Sequence, residues 1–117
     1  MKIERELMRG AGPVAVLKML EGGKRYGYEL VTAVAQHSEG ILAMGQSTLY
    51  PMLYNLEAQG FIRAEWSEAK SGRERKYYSL TPKGKRRLAA QTKEWRAVAK
   101  AMESLGILPR RRGEATA

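Results

Sequence analysis

Apolar side chains recur at helical spacing in four stretches of the chain and alternate in a fifth. Val14, Val16, Leu17 and Leu20 make one side of a first helix, predicted to begin at Pro13, where the missing N–H costs nothing, and to stop at "EGGK". Residues 3–9 read as a frayed or helical lead-in. Beyond Gly22-Gly23, the spacing of Leu30, Val31, Val34 and Ala35 in "YGYELVTAVAQH" predicts a second helix, closed by Ser38, Glu39 and Gly40. A third lies in "GQSTLYPMLYNLEAQGF", residues 45–61, with Leu49, Leu53 and Leu56 on one side. Gly60 is its stop, because glycine takes the left-handed conformation freely.

The period then changes from helical to alternating. "FIRAEW" places Ile62, Ala64 and Trp66 on one face and Phe61, Arg63 and Glu65 on the other, and "RKYYSL" is rich in strand-forming aromatics. The polar "SEAKSG" between them makes the pair a hairpin with a flexible basic tip, and Tyr78 is expected to pack beneath it. Thr81-Pro82 is a strong helix start, an N-cap followed by proline at the first helical position. One helix of roughly 24 residues should follow, about 36 Å long. Along it Leu88, Gln91, Trp95, Val98, Met102 and Leu105 recur at spacings of three and four, a narrow seam with one polar member. Its own domain could cover that seam. The helix outruns a body of roughly 80 residues, however, which favours the same helix of a second chain. Leu88, Trp95, Val98, Met102 and Leu105 are therefore the expected homodimer interface. Residues 108–117 lack an apolar pattern and read as a disordered basic tail.

Charge sharpens this picture. At 117 residues the chain is one domain, and its formal net charge of +9 points to a polyanionic partner or an acidic membrane surface. Residues 1–59 hold six basic and six acidic side chains, so residues 60–117, with 15 and 6, carry the whole excess. No cysteine is present, which excludes disulfides and thiolate metal sites. With no long apolar run and a charged "KIERELMRG" at the start, a cytoplasmic protein without a membrane partner is expected. One histidine, no phosphate loop and no nucleophile–base pair argue against an enzyme, and neither a cofactor nor a metal is expected. His37, near the end of the second helix, suits the helix C-terminus better than a metal.

Three helices followed by a hairpin give the fold class: mainly α with a small β-hairpin, a winged helix-turn-helix over residues 1–81. The recognition helix spans about 46–59, the wing about 61–80, and a long dimerisation helix residues 82–107. At 100° per residue Met52, Leu53 and Leu56 cluster near Leu49, which leaves Ser47, Pro51 and Tyr54 outward, flanked by Thr48, Tyr50 and Asn55. Pro51 then falls in or just past the first turn, where little hydrogen bonding is lost. Free N–H groups at that end favour phosphate, and short hydroxyls beside tyrosines suit phosphate or base edges.

These segments carry a family resemblance. "YGYEL" at 26–30, "STLYPMLYNLEAQGFI" at 47–62 and "GRERKYYSLTPKG" at 72–84 together resemble the PadR family of bacterial transcriptional regulators. The resemblance implies a winged helix whose last helix, with part of the first, forms a dimer. It also implies repression at a palindromic operator in double-stranded DNA, relieved by a small ligand or another signal. Carried across, the DNA contacts are Gln46, Ser47, Thr48, Tyr50 and Tyr54, with Tyr50-Pro51 matching the family's Tyr-Pro step. In the wing Gly72 permits the turn, Arg73 and Arg75 point outward together, and Lys70 and Lys76 support them. Trp95 at the centre of the dimer seam could flank a small hydrophobic or planar effector, although an aromatic at helical spacing also serves simply as core. The competing reading is a basic winged helix that binds RNA or a protein partner instead of an operator.

Overall fold

The computed structural model describes residues 1–68 and 70–110. Its elements run α1 (Arg5–Leu20), β1 (Arg25–Tyr26), α2 (Gly27–His37), α3 (Gln46–Ala58), β2 (Ile62–Glu68), β3 (Glu74–Leu80) and α4 (Pro82–Ser104). The wing is thus part of a three-stranded antiparallel sheet of order β1-β3-β2. Its hairpin pairs Ile62 with Leu80 at one end and Glu68 with Glu74 at the other. The two-residue β1 was not expected from the sequence, because two residues hold no periodicity. It forms because Arg25 and Tyr26 pair with Tyr78 and Tyr77 as the chain enters α2.

The core is where the three helical stripes and the root of the sheet meet. Val16, Leu17, Leu30, Leu49 and Leu53 are essentially out of solvent, joined by Val34, Leu56, Ile62, Tyr78 and Leu80. Each such aliphatic side chain contributes about 1.5–3 kcal/mol relative to exposure. Burial pushes the Tyr78 phenol above its ordinary value, with Tyr50 and Glu57 adding to the shift, so the group stays neutral at physiological pH.

Pro13 does not start a helix; it lies inside α1, which begins eight residues earlier in the chain at Arg5. Gly10, Gly12 and Pro13 read as breakers, yet packing overrides them. Gly12 is buried against α3, where an added Cβ would stand 3.3 Å from the Met52 sulfur, and Gly10 faces the Trp95 ring of α4. Proline removes only the bond to the Arg9 carbonyl, at an exposed residue where water can replace it.

The ends of α3 follow from local chemistry. The Gly45 carbonyl accepts from the N–H groups of Thr48 (3.1 Å) and Leu49 (3.0 Å). Pro51 falls just past that turn, so only the exposed Ser47 carbonyl loses its donor four residues on. At the other end Gly60 has φ +81°, and the Phe61 N–H returns to the Leu56 carbonyl at 3.0 Å, a glycine-closed terminus.

Thr81 joins α3 to α4. Its hydroxyl donates to the Gly60 carbonyl (2.6 Å) and accepts from the Gly84 N–H (3.0 Å), while Lys83 donates to the Gln59 carbonyl (2.7 Å). Beyond Leu88 no residue of α4 is buried. Leu88 itself is only 4% exposed and belongs to the chain's own core, which corrects its placement in the dimer seam. It lies near the start of α4, where that helix packs on α1 and β3. Of the expected tail, residues 111–117 lie outside the described residues.

Of the described glycines, Gly84 has the least room for a side chain. A Cβ there would overlap the Phe61 carbonyl oxygen and stand 2.9 Å from its carbon, and backbone cannot yield as a side chain does. Gly84→Ala is expected to lower unfolding free energy by about 1–3 kcal/mol, read as a reduced urea midpoint at unchanged slope.

Candidate nucleic-acid interface

Because Leu49, Leu53 and Leu56 are drawn into the core, the opposite side of α3 must face solvent. Gln46, Ser47, Thr48, Tyr50, Pro51 and Tyr54 are all exposed there, Tyr54 at 72%. The helix has no side-chain cap and no acidic residue in its first turn. Its free N–H groups and positive dipole end are therefore open to an anion.

Tyr50 does not stand free. Its ring lies across the start of α2, where Gly27 has no side chain; a Cβ at that position would meet the hydroxyl and come within 2.9 Å of Cζ. The surrounding motif "YGYEL" now has a physical account. Glu29 accepts the Tyr26 N–H at 3.1 Å, Gly27 makes room for Tyr50, and Leu30 enters the core. Tyr26 itself reaches the wing.

In the wing Gly72 has φ +82°, which permits the turn, and Lys70 and Arg73 are exposed at the tip. Arg75 differs from the expectation that it would point outward beside Arg73. It is half-buried, with its guanidinium 4.3 Å above the Tyr26 ring, and Tyr26 meets Tyr77 edge-on at 5.6 Å. Stacking of this kind holds an arginine in place while leaving its N–H groups available. Lys76 is half-buried 5.8 Å from the Tyr78 ring centre. Among the described residues the ion pairs Glu6–Arg9 and Lys18–Glu21 involve α1, and neither includes Lys70, Arg73, Arg75 or Lys76.

Between α3 and the wing lies a cleft of about 270 Å³ that brings Tyr50, Arg73, Arg75, Lys76 and the exposed Glu74 together with Tyr26 and Trp66. Tyr26 and Trp66 line this cleft but are not among the contacts expected from the sequence. Tyr26 has a signal in its position at the head of "YGYEL". Alternation puts Trp66 on one face with Ile62 and Ala64, but alternation alone cannot say how far along that face the core extends.

A second feature lies on the α4 side. Trp95 and Val98 are 40% and 46% exposed, Met102 is half-buried and Leu105 is exposed. An apolar groove of about 650 Å³ runs between α1 and α4, walled by Val14, Ala15, Leu88, Trp95 and Ala99. Among the described residues no His, Cys, Asp or Glu group could hold a metal, and no helix is long and apolar enough to cross a membrane.

Comparison with known proteins decides the family. The profile described as the transcriptional regulator PadR-like family matches residues 16–90, from the middle of α1 into α4. The chain belongs to this family. It is 33% identical over 103 residues to a transcriptional regulator of Mycobacterium tuberculosis, covering 87% of this chain and 90% of that protein. Among solved structures, a PadR family transcriptional regulator from Eggerthella lenta superposes with a TM-score of 0.74 at 37% identity, covering 86% and 85% of the two chains. A Streptococcus transcriptional regulator gives 0.78 at 31% identity, covering 88% and 99%. The chain is thus a PadR-like transcriptional regulator with a winged helix-turn-helix for DNA binding, in a family of regulators and not of enzymes.

The two arginines should separate in a salt titration of duplex binding. Arg73→Ala and Arg75→Ala are each expected to weaken binding to all duplexes alike and to flatten the log–log salt slope by about 1. Arg75→Lys should recover less than Arg73→Lys, because only Arg75 relies on a planar group over a ring. A double variant with the wild-type slope would remove the wing from the interface.

Proposed function

We propose that this PadR-like regulator is a homodimeric repressor that binds a palindromic operator in double-stranded DNA and is released by a small hydrophobic or planar effector. The observation that carries the reading is the cleft where the outward tyrosine of α3 meets three wing cations, Arg73, Arg75 and Lys76, against one carboxylate, Glu74. In this reading residues 1–81 bind DNA, with Gln46, Ser47, Thr48, Tyr50, Pro51 and Tyr54 at the major groove and Lys70, Arg73, Arg75 and Lys76 at phosphates. Residues 82–107 dimerise through Trp95, Val98, Met102 and Leu105. The protein then acts in the cytoplasm, where bacterial DNA lies.

Two α3 helices related by a two-fold axis would read half-sites about one helical turn apart, roughly 34 Å, or a multiple of it. If the dimer neutralises about six to ten phosphates, the salt slope is about −5 to −9. The α1–α4 groove beside Trp95 offers the effector an apolar wall. An effector acts only through different affinities for the DNA-competent and incompetent dimers. The Thr81–Gly60 and Lys83–Gln59 hydrogen bonds give that difference a route, since they tie the start of α4 to the end of α3.

The test is selection of random duplex DNA by the purified protein, followed by sequencing of what is retained. A two-fold symmetric motif is expected; tight retention without a motif would favour the RNA or protein partner instead. Trp95→Ala should raise the dimer dissociation constant at least about tenfold in sedimentation, the loss of a large aromatic at an interface centre. A wild-type constant would place Trp95 outside the interface.

A further inference from the structure

Burial along the inner face of β2 falls steadily toward the wing tip. Ile62 is 2% exposed, Ala64 half-buried and Trp66 66% exposed, although all three lie on one side of the strand. The facing residues of β3 are Leu80, Tyr78 and Lys76, with Lys76 directly opposite Trp66. The face that closes the core at its root therefore becomes, past the edge of the helices, an open surface of an indole beside a cation. Trp66 shares the cleft with Tyr50 of α3 and with Arg73, Glu74 and Lys76 of the wing. Among the described residues no aromatic ring pairs with Trp66 and no cation sits over it. Indole is costly to leave in water, and its combination of apolar face and N–H donor suits a surface that is apolar in one place and polar in the next.

The sugar–phosphate edge of duplex DNA is such a surface. Its bases are stacked and its phosphates charged, whereas each deoxyribose presents C–H groups between two phosphates. We propose that Trp66 packs on a deoxyribose beside the groove occupied by α3, with Arg73 and Lys76 on the flanking phosphates. This rests on the DNA-interface reading above and adds to it a contact residue that sets how close the wing comes to the duplex. The contact is to sugar, so it carries affinity without sequence preference.

The chain has two tryptophans, so Trp95→Phe leaves Trp66 as the only indole reporter. Its emission is followed as an unlabelled duplex of about 30 base pairs is added, and binding is followed in parallel by anisotropy of the fluorescein-labelled duplex. Quenching with a blue shift, at the midpoint given by anisotropy, is expected. In the wild-type background Trp66→Ala should weaken binding about tenfold on selected and scrambled duplexes alike, and Trp66→Phe about threefold or less. Thermal melts of both variants should match wild type, since the side chain is mostly exposed. Unmoved emission at saturating duplex, or wild-type affinity in Trp66→Ala, overturns the proposal while leaving the DNA-interface reading intact. A loss confined to the selected sequence overturns it in favour of a base contact. Failure of the wild-type protein to bind any duplex overturns both.

Discussion

Burial of Leu49, Leu53 and Leu56 on one side of α3 is the constraint on which the rest depends. They occupy the junction of α1, α2 and the sheet root, where Val16, Leu17, Leu30 and Ile62 surround them. Truncating one leucine in such a site costs about 2–5 kcal/mol, against a total stability of about 5–15 kcal/mol for a small domain. A helix so held has no freedom to roll. Its polar side, with Ser47, Tyr50, Pro51 and Tyr54, is presented to solvent as a consequence of the core and not by any interaction of its own.

Both ends of that helix are also tied. Tyr50 rests in the space that Gly27 leaves on α2, and the C-terminus is joined to α4 through Thr81 and Lys83. Rigid placement lowers the ordering cost of binding, because little conformational freedom remains to be lost at the interface. It also means that α4 cannot tilt at its start without moving α3. The close approach of Gly84 to the Phe61 carbonyl makes this junction intolerant of added volume.

Two of the wing's cations, Arg75 and Lys76, lie against aromatic rings. Arg75 over Tyr26, and Lys24 over Tyr77 from the loop before β1, orient cations without a direct ion pair. A carboxylate partner would have oriented them equally well and cancelled the field that attracts a phosphate. The excess positive charge of residues 60–117 acts over about 8–10 Å at ordinary salt.

Helical periodicity, the Gly60 stop, the Thr81-Pro82 start and the alternation of β2 and β3 are properties of neighbouring residues. They determined the four helices, the hairpin and the family, together with the outward set on α3. What the sequence could not determine depends on contacts between distant segments. The glycines before Pro13 in α1 lie against Met52 and Trp95, some 40 and 80 residues away in the chain. The two-residue β1 exists because β3 offers it an edge, and Leu88 joined the core because α4 crosses the body at that turn. Trp66 and Ile62 carry the same pattern and meet opposite fates. Alternation specifies a face, but only the tertiary structure decides how far the helices extend beneath it and thus where burial gives way to water.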